Sequence, residues 1–136
     1  MRRKATAQWN GSLKEGKGNL TTDSTVLDQA QYSFSTRFEN GIGTNPEELL
    51  AAAHAGCFTM QLSAFLTEAG FVPDELKTVS TIVFENGAIV RSELELTAKV
   101  PSIDDAEFQA LAQKAKDNCP VSKAFSFEKT LHAALV

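Results

Sequence analysis

Cysteine is scarce in this sequence. Two residues in 136, Cys57 and Cys119, are too few for the disulfide framework of a small secreted domain. They do not form a CxxC pair, so the spacing of a thioredoxin-like exchange site is missing. Basic charge is also sparse. The net charge is -4 and the only basic cluster, Arg2-Arg3-Lys4, is too short for a general nucleic-acid binder, which needs many phosphate contacts. No apolar signal core follows that cluster, because Thr6 and Gln8 interrupt Ala5 to Trp9. A cytoplasmic location and a reduced or redox-active pair of thiols are therefore expected. Phosphate loops are missing too: Asn40 to Thr44 reads NGIGT, without the lysine-serine/threonine ending of a P-loop or the GxGxxG of a dinucleotide turn. With no internal repeat, low-complexity tract or linker, residues 1–136 are expected to form one domain.

One long apolar stretch is present, from Thr44 to Pro73, and it predicts a helix over Pro46 to Ala69. Asn45 is placed to cap the first turn, Pro46 suits the first helical position, and Glu48 completes a capping box. Gly70 is placed to close the helix in the left-handed conformation, with Phe71 packing back and Pro73 preventing continuation. Between these signals apolar residues from Leu49 to Leu66 occupy every face, which predicts burial all round. The run approaches the lower limit for a membrane span. However, Glu47 and Glu48 begin it, His54, Thr59, Gln61 and Ser63 interrupt it, and amphipathic segments flank it. A core helix is expected. One sheet and one amphipathic helix cannot cover it on every side, so a second copy of the chain is expected in an intertwined, two-fold homodimer.

Three strands are expected before this helix: Lys4 to Asn10, Asn19 to Asp23, and Gln31 to Glu39, the last alternating Tyr32, Phe34, Thr36 and Phe38 against Ser33, Ser35, Arg37 and Glu39. After it, Leu76 to Asn86 and Ala88 to Val100 read as a hairpin about Asn86-Gly87. In the return strand Val90, Leu94, Leu96, Ala98 and Val100 point inward, and the charges opposite them form a solvated face. Ser102 to Asn118 is a second helix with acidic residues early and lysines late. Asn118 is expected to cap a short turn through Val121 to Ala124, followed by a strand from Phe125 to Leu135. The order βββ-α-ββ-α-β predicts an α+β fold with mainly antiparallel sheet around a long central helix.

Several residues carry chemistry if their surroundings allow it. Cys57 is either a nucleophile or inert packing among alanines. Cys119, beside Pro120 at the start of a short helix, lies where partial positive charge lowers a thiol pKa. Arg37 is either an exposed strand arginine or the group that stabilises a thiolate. Glu47 either complements the helix dipole or orients an arginine. A straight helix separates Glu47 from Cys57 by about 15 Å, so they meet in one small site only if two antiparallel copies of the helix pair, with Arg37 bridging them. His54, one turn before Cys57, reads as a buried, hydrogen-bonded histidine in preference to half of a Cys–His hydrolase dyad, since no orienting third residue or oxyanion loop is evident. His54, Cys57, Cys119 and His132 have the ligand count for zinc but lack the close ligand pairs of structural zinc sites.

The segments RFENGIGTNPEELLAAAHAGCF and NCPVSKAF, with the W-G-K-G-like stretch around Trp9 and Gly16 to Gly18, closely resemble the OsmC/Ohr family, and its OsmC branch in particular. The resemblance extends over nearly the whole chain. The hairpin Glu85 to Ile89 is shorter than the connection of that branch, whereas Arg37 in TRFE follows its pattern. The resemblance implies the intertwined dimer of an OsmC-like domain and a thiol peroxidase that reduces organic hydroperoxides and, more weakly, hydrogen peroxide, in oxidative and osmotic stress. It further implies Cys57 as the peroxidatic thiol, Cys119 as the resolving thiol, Arg37 as the group stabilising the Cys57 thiolate, and Glu47 as the residue orienting Arg37. No cofactor or metal is implied. An external dithiol, such as a lipoylated or thioredoxin-like protein, supplies the electrons, with no nucleic-acid or membrane partner. The rival from another class is a noncatalytic OsmC-like stress protein that binds a small apolar ligand in the dimer cleft.

Overall fold

A computed structural model describes residues 1–136, which divide into two compact units, Met1–Leu49 and Leu50–Val136. In the first, strands β1 (Ala5–Asn10), β2 (Lys17–Thr22) and β3 (Ala30–Tyr32) form an antiparallel meander. Trp9 pairs with Gly18, which pairs in turn with Tyr32. The rings of Trp9 and Tyr32 lie with centroids 5.4 Å apart. Glycine between them is a steric requirement, because a Cβ there would sit 2.5 Å from Tyr32 and 2.7 Å from Trp9.

The strand expected over Gln31 to Glu39 stops at Tyr32 and becomes a short helix, α1 (Phe34–Phe38). The cause is a reciprocal cap: the Ser33 hydroxyl accepts from the Thr36 N–H at 3.4 Å, and the Ser33 N–H donates to the Thr36 hydroxyl at 2.7 Å. Phe34 and Phe38 are four residues apart, a spacing that satisfies both strand alternation and a helical turn. In the helix their rings meet at 4.9 Å.

The long helix α2 (Pro46–Glu68) begins as the sequence predicts, with the Glu48 N–H donating to the Asn45 side chain at 2.8 Å. The Glu48 carboxylate, however, accepts from the Thr44 hydroxyl at 2.6 Å. At its end the Gly70 N–H donates to the Thr67 carbonyl and the Phe71 N–H to the Leu66 carbonyl, with Gly70 at a φ of 92°, the pattern of a Schellman cap.

In the second unit, strands β4 (Glu75–Glu85) and β5 (Ala88–Lys99) form an antiparallel hairpin, and β6 (Glu128–Leu135) joins β5 in parallel. The hairpin turns on Asn86 and Gly87, with φ of 51° and 80°, as Asn-Gly predicts. The parallel pairing follows from the crossover between β5 and β6, which runs through α3 (Asp105–Asn118) and α4 (Pro120–Ala124). The Asp104 side chain caps α3 by accepting from the Glu107 N–H at 2.9 Å. Asn118 does not cap α4 as expected; its side chain donates to the Lys114 carbonyl at 2.8 Å, and Cys119 occupies the cap position.

The core joins Phe58, Leu62 and Leu66 of α2, Leu94, Leu96 and Ala98 of β5, and Phe108, Ala112 and Ala115 of α3. Burying each large side chain stabilises the unit by about 1.5–3 kcal/mol. Burial of α2 all round is not what the chain shows. Its buried residues, His54, Phe58, Leu62 and Leu66, recur every fourth position on one stripe, while Met60 is 76% exposed. Apolar composition states which faces tolerate burial; within one chain the sheet and α3 supply cover for only one of them. The helix is long and apolar enough to cross a membrane by composition, yet this stripe makes it the core helix of its unit.

Candidate active site

Arg37 and Glu47 meet in the first unit. Arg37 stands in the last turn of α1 and Glu47 in the first turn of α2. The two helix ends are joined by the Asn45 side-chain amide, which donates to the Thr36 carbonyl at 3.2 Å. Arg37 Nε and Nη2 approach the same oxygen, Glu47 Oε1, at 2.9 and 2.8 Å. The other oxygen, Oε2, is buried and accepts no hydrogen bond. Arg37 is 38% exposed and Glu47 15%, so the carboxylate is fixed while part of the guanidinium faces outward. Beside it is a hollow of about 290 Å³ lined by Trp9, Leu13, Tyr32, Phe34, Phe38 and Arg37. That is an aromatic wall with a single cationic group, suited to an apolar molecule with one polar end.

Cys57 and Cys119 meet in the second unit. Cys57 is half-buried on α2; Cys119 is fully buried where α3 passes into α4. The Cys119 N–H donates to the Ala115 carbonyl at 2.9 Å and its own carbonyl accepts from the Lys123 N–H at 3.0 Å, so its backbone closes one helix and opens the next. Both thiols are free, and Cys57 packs against the core cluster that holds Cys119, within electrostatic reach of that thiol and of the Val121 N–H. Burial first, then the Cys119 thiol, push the Cys57 thiol above the ordinary cysteine range, with the Val121 N–H pulling the other way. The helix-start amide expected to activate Cys119 thus faces Cys57.

His54 is completely buried. Its Nδ1 is 2.6 Å from the Ser92 hydroxyl and its Nε2 is 2.7 Å from the Ser122 hydroxyl, while Ser92 continues to Ser80 at 3.2 Å. Burial, then the charge of Lys129, hold the imidazole below the ordinary value of 6.5, so it is neutral, with one ring nitrogen donating and the other accepting. Both nitrogens are occupied by serines, which leaves the Cys–His hydrolase without its base. His132 lies exposed on β6, paired with Glu95, and no three His, Cys, Asp or Glu residues are gathered as a ligand set. Neither Ser92 nor Ser122 stands out in the sequence as a partner of His54. Ser92 occupies an inward position between Val90 and Leu94, where a polar side chain requires a buried partner, and that parity was the available signal.

The model of the OsmC-like protein family matches residues 38–132. Peroxiredoxin OsmC of Escherichia coli is 46% identical over 95% of this chain and 93% of that protein. Organic hydroperoxide resistance protein OhrB of Bacillus subtilis is 31% identical over 79% of this chain and 80% of its own. An OsmC-like protein from Mycoplasma pneumoniae superposes with a TM-score of 0.77, covering 100% of this chain and 98% of the other at 14% identity, a likeness that carries the fold alone. Sequence over nearly the full length and fold agree, and the chain belongs to the OsmC family.

Proposed function

We propose that this protein is a cysteine-dependent peroxidase that reduces organic hydroperoxides, and hydrogen peroxide more weakly. One observation carries the reading: two free thiols, the half-buried Cys57 and the fully buried Cys119, lie close enough for Cys119 to shift the Cys57 pKa. The names of its relatives, a peroxiredoxin and an organic hydroperoxide resistance protein, agree with it. The Cys57 thiolate attacks the terminal oxygen of ROOH; the O–O bond breaks, the alkoxide takes a proton to leave as ROH, and Cys57 becomes a sulfenic acid. Cys119 displaces the hydroxyl as water and closes a Cys57–Cys119 disulfide. An external dithiol, from a lipoylated or thioredoxin-like protein, returns both thiols and is itself oxidised. No cofactor enters the cycle, and a reducing cytoplasm suits it.

Burial raises the Cys57 pKa, so a cation is needed to favour the thiolate. In this reading it is Arg37, oriented by Glu47. The guanidinium comes from a second copy of the chain in a two-fold homodimer. The exposed apolar face of α2, with Ala52, Ala53, Gly56 and Met60, supports that pairing, as does the length of helix between Glu47 and Cys57.

The test is reaction of the reduced protein with cumene hydroperoxide and with hydrogen peroxide, followed by intact-mass analysis and peptide mapping. A Cys57–Cys119 disulfide that forms faster with the organic peroxide is expected; unmodified thiols would overturn the proposal. A noncatalytic protein binding an apolar ligand predicts that Cys57→Ser changes nothing, whereas a peroxidase loses all turnover.

A further inference from the structure

We propose that His54 is a positioning residue for the second half of the peroxidase cycle: through Ser122 it holds the Cys119-bearing turn against Cys57 while Cys57 is oxidised. This rests on the peroxidase reading of the two thiols. His54 and Cys57 are one turn apart on α2, and Cys119 and Ser122 bracket the first turn of α4. The imidazole therefore spans the two elements whose sulfurs must join. On one side it reaches Ser122 at 2.7 Å, and on the other it is anchored to the sheet through Ser92 at 2.6 Å and Ser80 beyond. Phe125, whose N–H closes α4 on the Val121 carbonyl at 3.1 Å, sets its ring edge-on to the imidazole at 5.2 Å.

Cys57 itself also neighbours the start of α4, where Cys119 and the Val121 N–H both act on its thiol. That contact involves the reacting sulfur, and it is disturbed when the sulfur gains an oxygen. The His54–Ser122 bond involves no reacting atom and persists through the oxidation. Its persistence matters because a disulfide tolerates only a narrow range of backbone separations, and because the sulfenic acid has two fates. In one, the Cys119 thiol gives its proton to the departing hydroxide, the S–O bond breaks, the S–S bond forms and water leaves. In the other, a second hydroperoxide transfers its terminal oxygen to the sulfur, giving sulfinic acid and an alcohol. The His54 link favours the first fate by keeping Cys119 in range.

Removing His54 would empty the core beneath the thiols, so Ser122→Ala is the better probe. With one equivalent of cumene hydroperoxide, sulfenic acid trapped by a cyclic diketone is expected to appear within about twofold of the wild-type rate, and disulfide closure to slow about tenfold or more. Excess hydroperoxide then leaves a larger fraction of Cys57 as sulfinic acid. Ser122→Thr, which keeps the hydroxyl, restores closure. Ser92→Ala supplies the structural control: it loses the sheet anchor but keeps the Ser122 bond, and it slows closure less than Ser122→Ala does. Equal slowing in the two alanine variants, in proportion to lost thermal stability, overturns the inference.

A second arm needs no peroxide. The effective concentration of the Cys57–Cys119 pair, measured against glutathione, is expected to fall about tenfold in Ser122→Ala. An unchanged value overturns the inference whatever the peroxide arm shows. A fall without any hydroperoxide consumption overturns the proposed function and leaves the His54 link standing.

Discussion

The two units hold their reactive groups by opposite means. In residues 1–49 the Arg37–Glu47 pair is charged, partly exposed, and fixed by helix caps and a single side-chain amide. In residues 50–136 the two thiols and His54 are mostly buried, and fixed by a core of three elements and a chain of serines. A partly exposed ion pair adds only about 0–1 kcal/mol to stability, so the Arg37–Glu47 pair contributes little to holding the fold. The buried set cannot be altered without cost to folding. The difference teaches that the first region supplies charge and the second supplies geometry.

The sharpest break is at Cys57. Cys57→Ser is expected to fold and to abolish peroxide consumption in a dithiol-coupled assay, while the Arg37–Glu47 pair stays intact. Next in size is the contrast in stability. Phe58→Ala, in the buried core, is expected to cost about 3–5 kcal/mol in urea denaturation. Phe38→Ala, at a side chain 45% exposed, is expected to cost less than about 1 kcal/mol.

Arg37→Met tests whether charge is delivered across protomers. It is expected to slow sulfenic acid formation about 100-fold and to move the pH–rate profile upward, because burial of the Cys57 thiol is then countered by the Val121 N–H alone. Mixing Arg37→Met with Cys57→Ser under conditions of subunit exchange is expected to restore activity, since the mixed dimer carries one complete site. No restoration would place Arg37 and Cys57 of the same chain at work together.

The smallest effect concerns His54. Its neutral form is favoured in the fold, by burial and by Lys129, so its contribution to stability is full above the ordinary value of 6.5 and is lost as pH falls below it toward the depressed value. Urea midpoints between neutral and mildly acidic pH are expected to decline. In a variant without the imidazole that part of the decline disappears.

Where local chemistry decides the structure, the sequence was informative. The Asn45 cap, the Gly70 closure, the Asn86-Gly87 turn and the inward parity of Leu94, Leu96 and Ala98 all follow from residues within a turn of each other. Alternation alone puts Arg37 on a strand, because two phenylalanines at a spacing of four fit both periods, whereas the Ser33–Thr36 cap turns the segment into a helix. The parallel pairing of β6 and the His54–Ser122 bond depend on residues far apart in the chain, and neither periodicity nor capping encodes them. The roles proposed for Arg37 and Cys119 rest on family resemblance, not on spacing.

The crossover through α3 and α4 has a consequence for biosynthesis. Cys57 emerges from the ribosome well before Cys119, and the two sulfurs become neighbours only after the crossover has packed against α2. Such long-range pairing is among the slower events in folding. Until it is complete the chain presents two separate thiols, so the pair proposed to carry the peroxidase cycle exists only in the finished fold.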